Sequence, residues 1–475
     1  MPRLSPGRGI CFLPFRAISL SSSIAGHSAY RMKISTILPA IPNQGPLPAS
    51  VDVAIIGAGI IGISTAWFLA RHGVRVLVCE KGHVAGEQSS RNWGWVRQQG
   101  RDPAELPIMM ESIGIWDGLA GETGEDLGFT REGVLYLAVS ERELGKFERW
   151  LDVARSHGLD SRLLTGGEAN SLIRAGQTGW RGALYTPGDG RAEPALAVPA
   201  LARAVQKKGG MIAQNCAVRT VATEGGKVSG VVTERGQIRA SAVVCAGGAW
   251  SNLFLRNAGF GFPQLTVRAC VARTEKAPDI YSGNAASDRL AFRRRKDGGY
   301  TIALADFHEH FISADSVRFL RNFLPSLRAS WSDTRFRFSR EFLRQTRNPG
   351  SWSGDQITPF EHTRVLNPTP PERVVAELRR RLASELPALS GISLAETWAG
   401  MIDITPDVVP VIDAIDQLPG LYLASGFSGH GFGIGPAAGR VVADLVLGRP
   451  VGHDLSRFRF SRFSDGSPIR LGPAL

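Results

Sequence analysis

A run of β-branched and other apolar residues, Val51 to Ile56 with Asp52 as its one polar member, stops at Gly57-Ala58-Gly59-Ile60-Ile61-Gly62 and gives way to apolar positions at helical spacing. Val74 to Cys79 is then apolar again apart from Arg75, and Glu80 follows. This order predicts a strand, a glycine turn, a helix and a second strand, the βαβ unit of a parallel sheet. Helices are predicted over 104–120, 141–157 (Leu144, Phe147, Leu151 and Ala154 on one face) and 194–208, with a strand over 133–138. Cys216 to Val221 and Val228 to Thr233 read as strands paired around Gly225-Gly226, and Ala242 to Ala246 as a buried strand entering Gly247-Gly248-Ala249-Trp250-Ser251. Strand character recurs at 267–273, 289–296 and 300–304, and helices at 316–324 and 371–386 flank a charged, irregular stretch. Near the end, the strand Leu421 to Gly426 leads into a glycine-rich run, Phe427 to Gly439, that opens a helix reaching Leu447. The polar loop Ser89 to Gly100, with Trp93 and Trp95, is expected outside the core.

The first unit carries chemistry. Gly57 permits the tight turn, Gly59 leaves room for backbone to approach a pyrophosphate, and Gly62 lets helix pack on strand. The helix N-terminus offers amides and a positive dipole end to phosphate, while Glu80 can accept hydrogen bonds from a ribose diol. A dinucleotide site follows. By itself the motif does not separate NAD from FAD, so an NAD-dependent dehydrogenase stands as an alternative.

Composition narrows the class. With 475 residues and 43% hydrophobic content the chain can bury a large core over two or three domains. Cys11, Cys79, Cys216, Cys245 and Cys270 are odd in number and scattered, which fits a reducing compartment and neither a disulfide framework nor a zinc site. No apolar run is long enough for a transmembrane segment. Of the net charge of +12, the residues before Asp52 supply five through Arg3, Arg8, Arg16, Arg31 and Lys33. The remainder is modest and comes without an RNA-binding signature, so no nucleic-acid partner is expected. Residues 1–50 read as a disordered leader, either a transit peptide or an over-extended start ahead of Met32; the location is cytoplasmic, or an organelle if the leader targets.

Taken in order, Gly57 to Gly62, Ala246 to Ser251 and Gly429-His430-Gly431-Phe432-Gly433 resemble the D-amino-acid oxidase superfamily of FAD-dependent amine oxidoreductases, which includes glycine oxidase, sarcosine oxidase and bacterial D-amino-acid dehydrogenase. The resemblance implies an α/β, Rossmann-type FAD-binding domain (51–110, 186–265 and 400–451). This is interleaved with a mostly antiparallel β-sheet substrate domain (111–185 and 266–399), with 452–475 as a C-terminal tail. It implies noncovalent FAD and oxidation of an amine or amino-acid C–N bond by hydride transfer to flavin N5, with O2 or an electron-transfer acceptor taking the electrons. The substrates it suggests are D-amino acids, N-alkyl amino acids, opines and polyamine-like compounds; a tRNA-modifying flavoprotein is a second reading. Residues carried over as cofactor-binding are Gly57, Ala58, Gly59, Ile60, Ile61, Gly62, Glu80, Lys81, Ser90, Arg91, Asn92, Gly94, Val218, Ala246, Gly247, Gly248, Trp250, Gly429, His430, Gly431, Phe432 and Gly433. The amides of Gly431, Phe432 and Gly433 would face the flavin N1 and O2 edge.

One departure matters. Relatives of the dehydrogenase type carry a carboxylate-binding arginine just before a Thr-Pro-Asp turn, and here Ile402 and Asp403 precede Thr405-Pro406-Asp407. The pocket is therefore expected to lose a cation and gain the anion of Asp403. Arg293 and Arg295 alternate on one strand face, as either solvated edge residues or replacements for the clamp, and Arg97 and Gln98 follow the flavin loop at the surface or in the pocket. His430 is a candidate for proton transfer. His308 and His310 lack a third ligand at useful spacing, and no metal is expected.

Overall fold

The computed structural model describes residues 38–42, 45–176, 178–329, 334–338 and 351–472. Strand Val53–Ile56 forms the middle of a six-stranded sheet, in register with Val76–Cys79 on one side and Ala242–Cys245 on the other. Met211–Ala213 extends one flank; Leu421–Ser425 and then the antiparallel Val411–Ala414 extend the other. Three distant stretches of chain thus build one sheet. Helices Ile60–Arg71, Pro194–Lys207 and Gly431–Val446 bury apolar faces around it, together with Leu106–Thr123. The hairpin predicted around Gly225-Gly226 is present, with Glu224 opposite Lys227 and positive φ at both glycines, and a third strand, Gly236–Arg239, joins it.

A ten-stranded, mostly antiparallel sheet makes up the second layer, running from Thr334–Arg337 through Leu265–Thr274, Tyr300–Leu304, Leu290–Arg294 and Val134–Ala138 to Arg162–Thr165. Leu394–Ile404, which sequence pattern did not predict, pairs with Leu265–Thr274 along its whole length. The helix expected at 316–324 is two short helices, Ala314–Arg318 and Leu320–Ala329.

Several expectations need correction here. The aromatic loop is not excluded from the core, because Trp95 is buried in strand Trp95–Val96 and packs on Tyr136. The chain is anchored ahead of residue 51: Ile41 joins the core and Ser50 bridges Arg239, while residues 1–37 lie outside the described part. Strand Leu290–Arg294 is internal to the sheet and not an edge. The tail is also bound, with Phe458 buried and Arg462 paired with Asp407. Cys79, Cys216, Cys245 and Cys270 are buried free thiols. No helix among the described residues is long and apolar enough to cross a membrane.

Candidate active site

A cavity of about 870 Å³ opens at the C-terminal ends of the parallel strands. Gly57, Gly59, Ile60, Ile61, Glu80, Lys81, Val218, Ala246, Gly247, Gly248 and Trp250 line one part of it, and Gly429, His430, Gly431 and Phe432 another. The glycine turn is shaped by close contact. Gly57 has φ +101°, and a Cβ there would sit 2.6 Å from the Ala246 carbonyl oxygen; a Cβ on Gly62 would lie 2.0 Å from the Gly57 oxygen. At Gly59 the nearest atom to such a Cβ is Ser89 Oγ at 3.1 Å, so the space above this residue belongs to the cavity. The residues ahead of helices Ile60–Arg71 and Gly431–Val446, Gly59 and His430, give no side-chain cap, and at the first helix only the Ile60 amide is taken, by Ser89 Oγ. Both present positive N-terminal ends to the same space.

Glu80 accepts from the Ala58 and Gly82 amides at 2.9 and 2.8 Å, and burial raises its pKa. Lys81 pairs with Glu87 at 2.7 Å and lies 4.3 Å above the Trp250 ring, whose indole N–H also donates to Glu87. Glu87, Gln88 and Ser89 therefore belong to the wall, and sequence reasoning missed them. Ser89 accepts from the Ile60 amide, whereas Ser90, the serine expected there, donates to Glu87 and stands off this wall. Arg91 and Asn92 do line the cavity. The Arg91 guanidinium donates to the carbonyls of Gly86, Leu366 and Ala399, tying the loop to the long strand, and Asn92 caps its own helix and receives the Gly94 amide.

Ala58 and Gly62 lie beneath the turn, while Gly94 and Gly433 are packing positions. A Cβ on Gly94 would meet Ala192 and Arg293, and one on Gly433 would press on Trp95 and Val96.

The candidate substrate residues are redistributed. Arg293 is buried in a pair with Glu193, Arg295 pairs with Asp297, and neither reaches the large cavity. Asp403 is on the wall but is not a free anion. It accepts from the Gly426 amide at 2.8 Å and Gln264 Nε2 at 3.0 Å, and burial raises its pKa. Among the cations lining the cavity, Arg97 lies 5.6 Å above the Tyr136 ring, and Trp93, Trp95 and Phe147 line the same cavity. Its loop is fixed by Asp189, which receives the Gln98 and Gln99 amides at 2.7 and 3.1 Å and which burial pushes up to about 6. His308 lines the cavity; His310 is held by the Thr266 carbonyl and Ser316. Among the described residues no cluster of His, Cys, Asp and Glu is arranged to hold a metal.

The family model described as FAD dependent oxidoreductase matches residues 52–445. The chain belongs to that family. FAD is its cofactor, and a helix N-terminus over a glycine cradle, beside a buried carboxylate, fits a dinucleotide. This flavoprotein is similar to the L-amino acid deaminase from Proteus myxofaciens, solved in complex with anthranilate (TM-score 0.86, 32% identity, covering 90% of this chain and 96% of that one). It is 26% identical to the glycine oxidase of Geobacillus kaustophilus over 86% of this chain and 97% of that protein. Mitochondrial sarcosine dehydrogenase of Mus musculus is 24% identical over 90% of this chain, which spans only 43% of that longer protein.

Proposed function

We propose that this flavoprotein oxidises the CH–NH bond of an α-amino acid or N-alkyl α-amino acid to an imine, which water then hydrolyses. The observation that carries the reading is Arg97, a guanidinium on the cavity wall beside Trp93, Trp95, Tyr136 and Phe147. A guanidinium matches a carboxylate in charge and fork geometry, and aromatic faces suit the rest of the substrate. Arg97 would replace the clamp that Ile402 lacks. Glycine and L-amino acids, named for the relatives, carry a carboxylate on the nitrogen-bearing carbon, and anthranilate carries one on the neighbouring ring carbon. Bound FAD supplies the hydride acceptor; Gly57, Gly59, Ile60, Ile61, Glu80, Lys81, Ala246 to Gly248 and Gly429 to Phe432 would hold it. The protein contributes orientation of the C–H bond and exclusion of water.

Anaerobic flavin bleaching tests this. Glycine, sarcosine and the L- and D-forms of alanine and phenylalanine are compared with the matching amines that lack the carboxylate, and with polyamines. One or more amino acids should bleach the flavin and the decarboxylated partners should not, and Arg97→Met should raise the concentration needed by roughly 10- to 100-fold. Amines or polyamines that bleach as well as amino acids would overturn the reading.

A further inference from the structure

The loop that brings Arg97 to the cavity runs on through Arg101 to Glu105, which precedes helix Leu106–Thr123. The Glu105 side chain is 1% exposed, and neither carboxylate oxygen has a hydrogen-bond partner. Its Oε2 lies 3.6 Å from His430 Nδ1. His430 precedes helix Gly431–Val446 and forms part of the cavity wall. Its Nδ1 is buried while the ring keeps 22% of its exposure, so Nε2 is the nitrogen offered to a ligand. Arg101 donates to the His430 carbonyl at 3.2 Å, and its Nη1 is buried without a partner. Unpartnered buried charges are costly and cluster where a site works.

An amino acid arrives as an ammonium, and hydride leaves its carbon only when the nitrogen lone pair is free to form the C=N bond. Some group must take that proton. We propose that His430 takes it at Nε2, with Glu105 as the positioning residue that keeps Nδ1 protonated, and that the substrate's own carboxylate enables the transfer by covering Arg97 and Arg101. This rests on the carboxylate reading above. In the step an N–H bond of the ammonium breaks, its electron pair stays on nitrogen, an Nε2–H bond forms, and nothing is oxidised.

The charges around the ring account for the dependence on substrate. Burial and Arg101, with Arg97, hold His430 down to about 4 against the upward pull of Glu105. Burial pushes Glu105 up, but the facing His430, Arg101 and Arg97 outweigh it and keep the carboxylate ionised. Tyr136 and Asp189 act in turn on Arg101. A carboxylate over Arg97 and Arg101 cancels the charges that depress His430 and leaves Glu105 as its dominant neighbour. The base is thus weak until the substrate is in place.

The test uses the FAD-loaded enzyme with carbon-13-labelled histidine and anthranilate as probe, an aryl amine with no hydrogen on its nitrogen-bearing carbon. Anthranilate should perturb the flavin spectrum and raise the His430 titration midpoint, assigned with His430→Gln, by at least one pH unit, roughly tenfold in proton affinity. With a substrate, Glu105→Gln should slow the limiting rate of flavin bleaching by roughly 100-fold and shift its acid limb, with less than a threefold change in half-saturating concentration. A flavin perturbation with an unmoved His430 midpoint overturns the proposal while leaving the carboxylate reading intact, and so does a Glu105→Gln enzyme with an unchanged rate and pH profile. If neither anthranilate nor any amino acid perturbs or bleaches the flavin, both are overturned.

Discussion

Arg293 and Glu193 face each other as a two-point pair, Nη1 to Oε1 at 2.8 Å and Nη2 to Oε2 at 3.1 Å, with both side chains buried. Glu193 also receives the Lys296 amide, and Arg293 donates to Thr301. The pair joins the start of a helix on the cofactor sheet to the interior of the second sheet. Its energetics are those of a buried ion pair, in which loss of one partner strands the other. Arg293→Met should cost about 3–5 kcal/mol in denaturant unfolding. Carboxylate binding, read from the flavin spectrum of the surviving folded protein, should be unaltered, because Arg293 does not reach the cavity.

Two glycines of one turn should fail differently. Gly62→Ala places a Cβ against the Gly57 carbonyl, so it should lower the melting temperature of protein with or without flavin. Gly59→Val meets mainly Ser89 Oγ and the open cavity, so the protein should fold and lose its yellow colour. Visible flavin absorbance, together with far-ultraviolet circular dichroism, separates the two outcomes.

Asp403→Asn should not redirect substrate choice. The carboxylate is occupied by the Gly426 amide and Gln264, so its loss should loosen the turn that precedes Gly431. The expected result is weaker FAD retention on dilution, with the ratio of bleaching rates between two substrates unchanged. A changed ratio would restore Asp403 as a pocket anion.

Asp189 gives a pH signature. Its folded pKa is raised to about 6 from an ordinary 3.8, so the native state binds more protons than the unfolded chain between those values, and stability falls as pH rises through that window. At one pKa unit per 1.36 kcal/mol the loss is at most about 3 kcal/mol. Asp189→Asn should flatten the stability profile between pH ~4 and ~6, read from urea midpoints at each pH.

What the sequence made legible was local. The βαβ turn, the Gly225-Gly226 hairpin and the uncapped helix after Gly429 each carry their cause within a few residues. The misses depend on distant partners. Leu394–Ile404 has no alternation to announce it, since its pairing comes from Leu265–Thr274. Arg293 looked solvated because Glu193 lies a hundred positions away. Trp95 sits in a polar stretch yet meets Tyr136 from another sheet, and Ser90 was favoured over Ser89 because a short loop gives no period from which to read side-chain direction. Glu105 left no trace in the sequence, as a lone acid ahead of a helix is ordinary.

The six-stranded sheet also sets an order of events during synthesis. Gly57 leaves the ribosome ahead of the turn at Gly429 to Gly431 that shares its cavity, which follows about 370 positions later. At roughly 5–20 residues per second this delay is on the order of half a minute. Strand Leu421–Ser425 must then dock beside Ala242–Cys245, already flanked by Val53–Ile56. Through that interval the nascent chain carries half a nucleotide cradle, and the flavin meets its full set of contacts only once the second turn has docked.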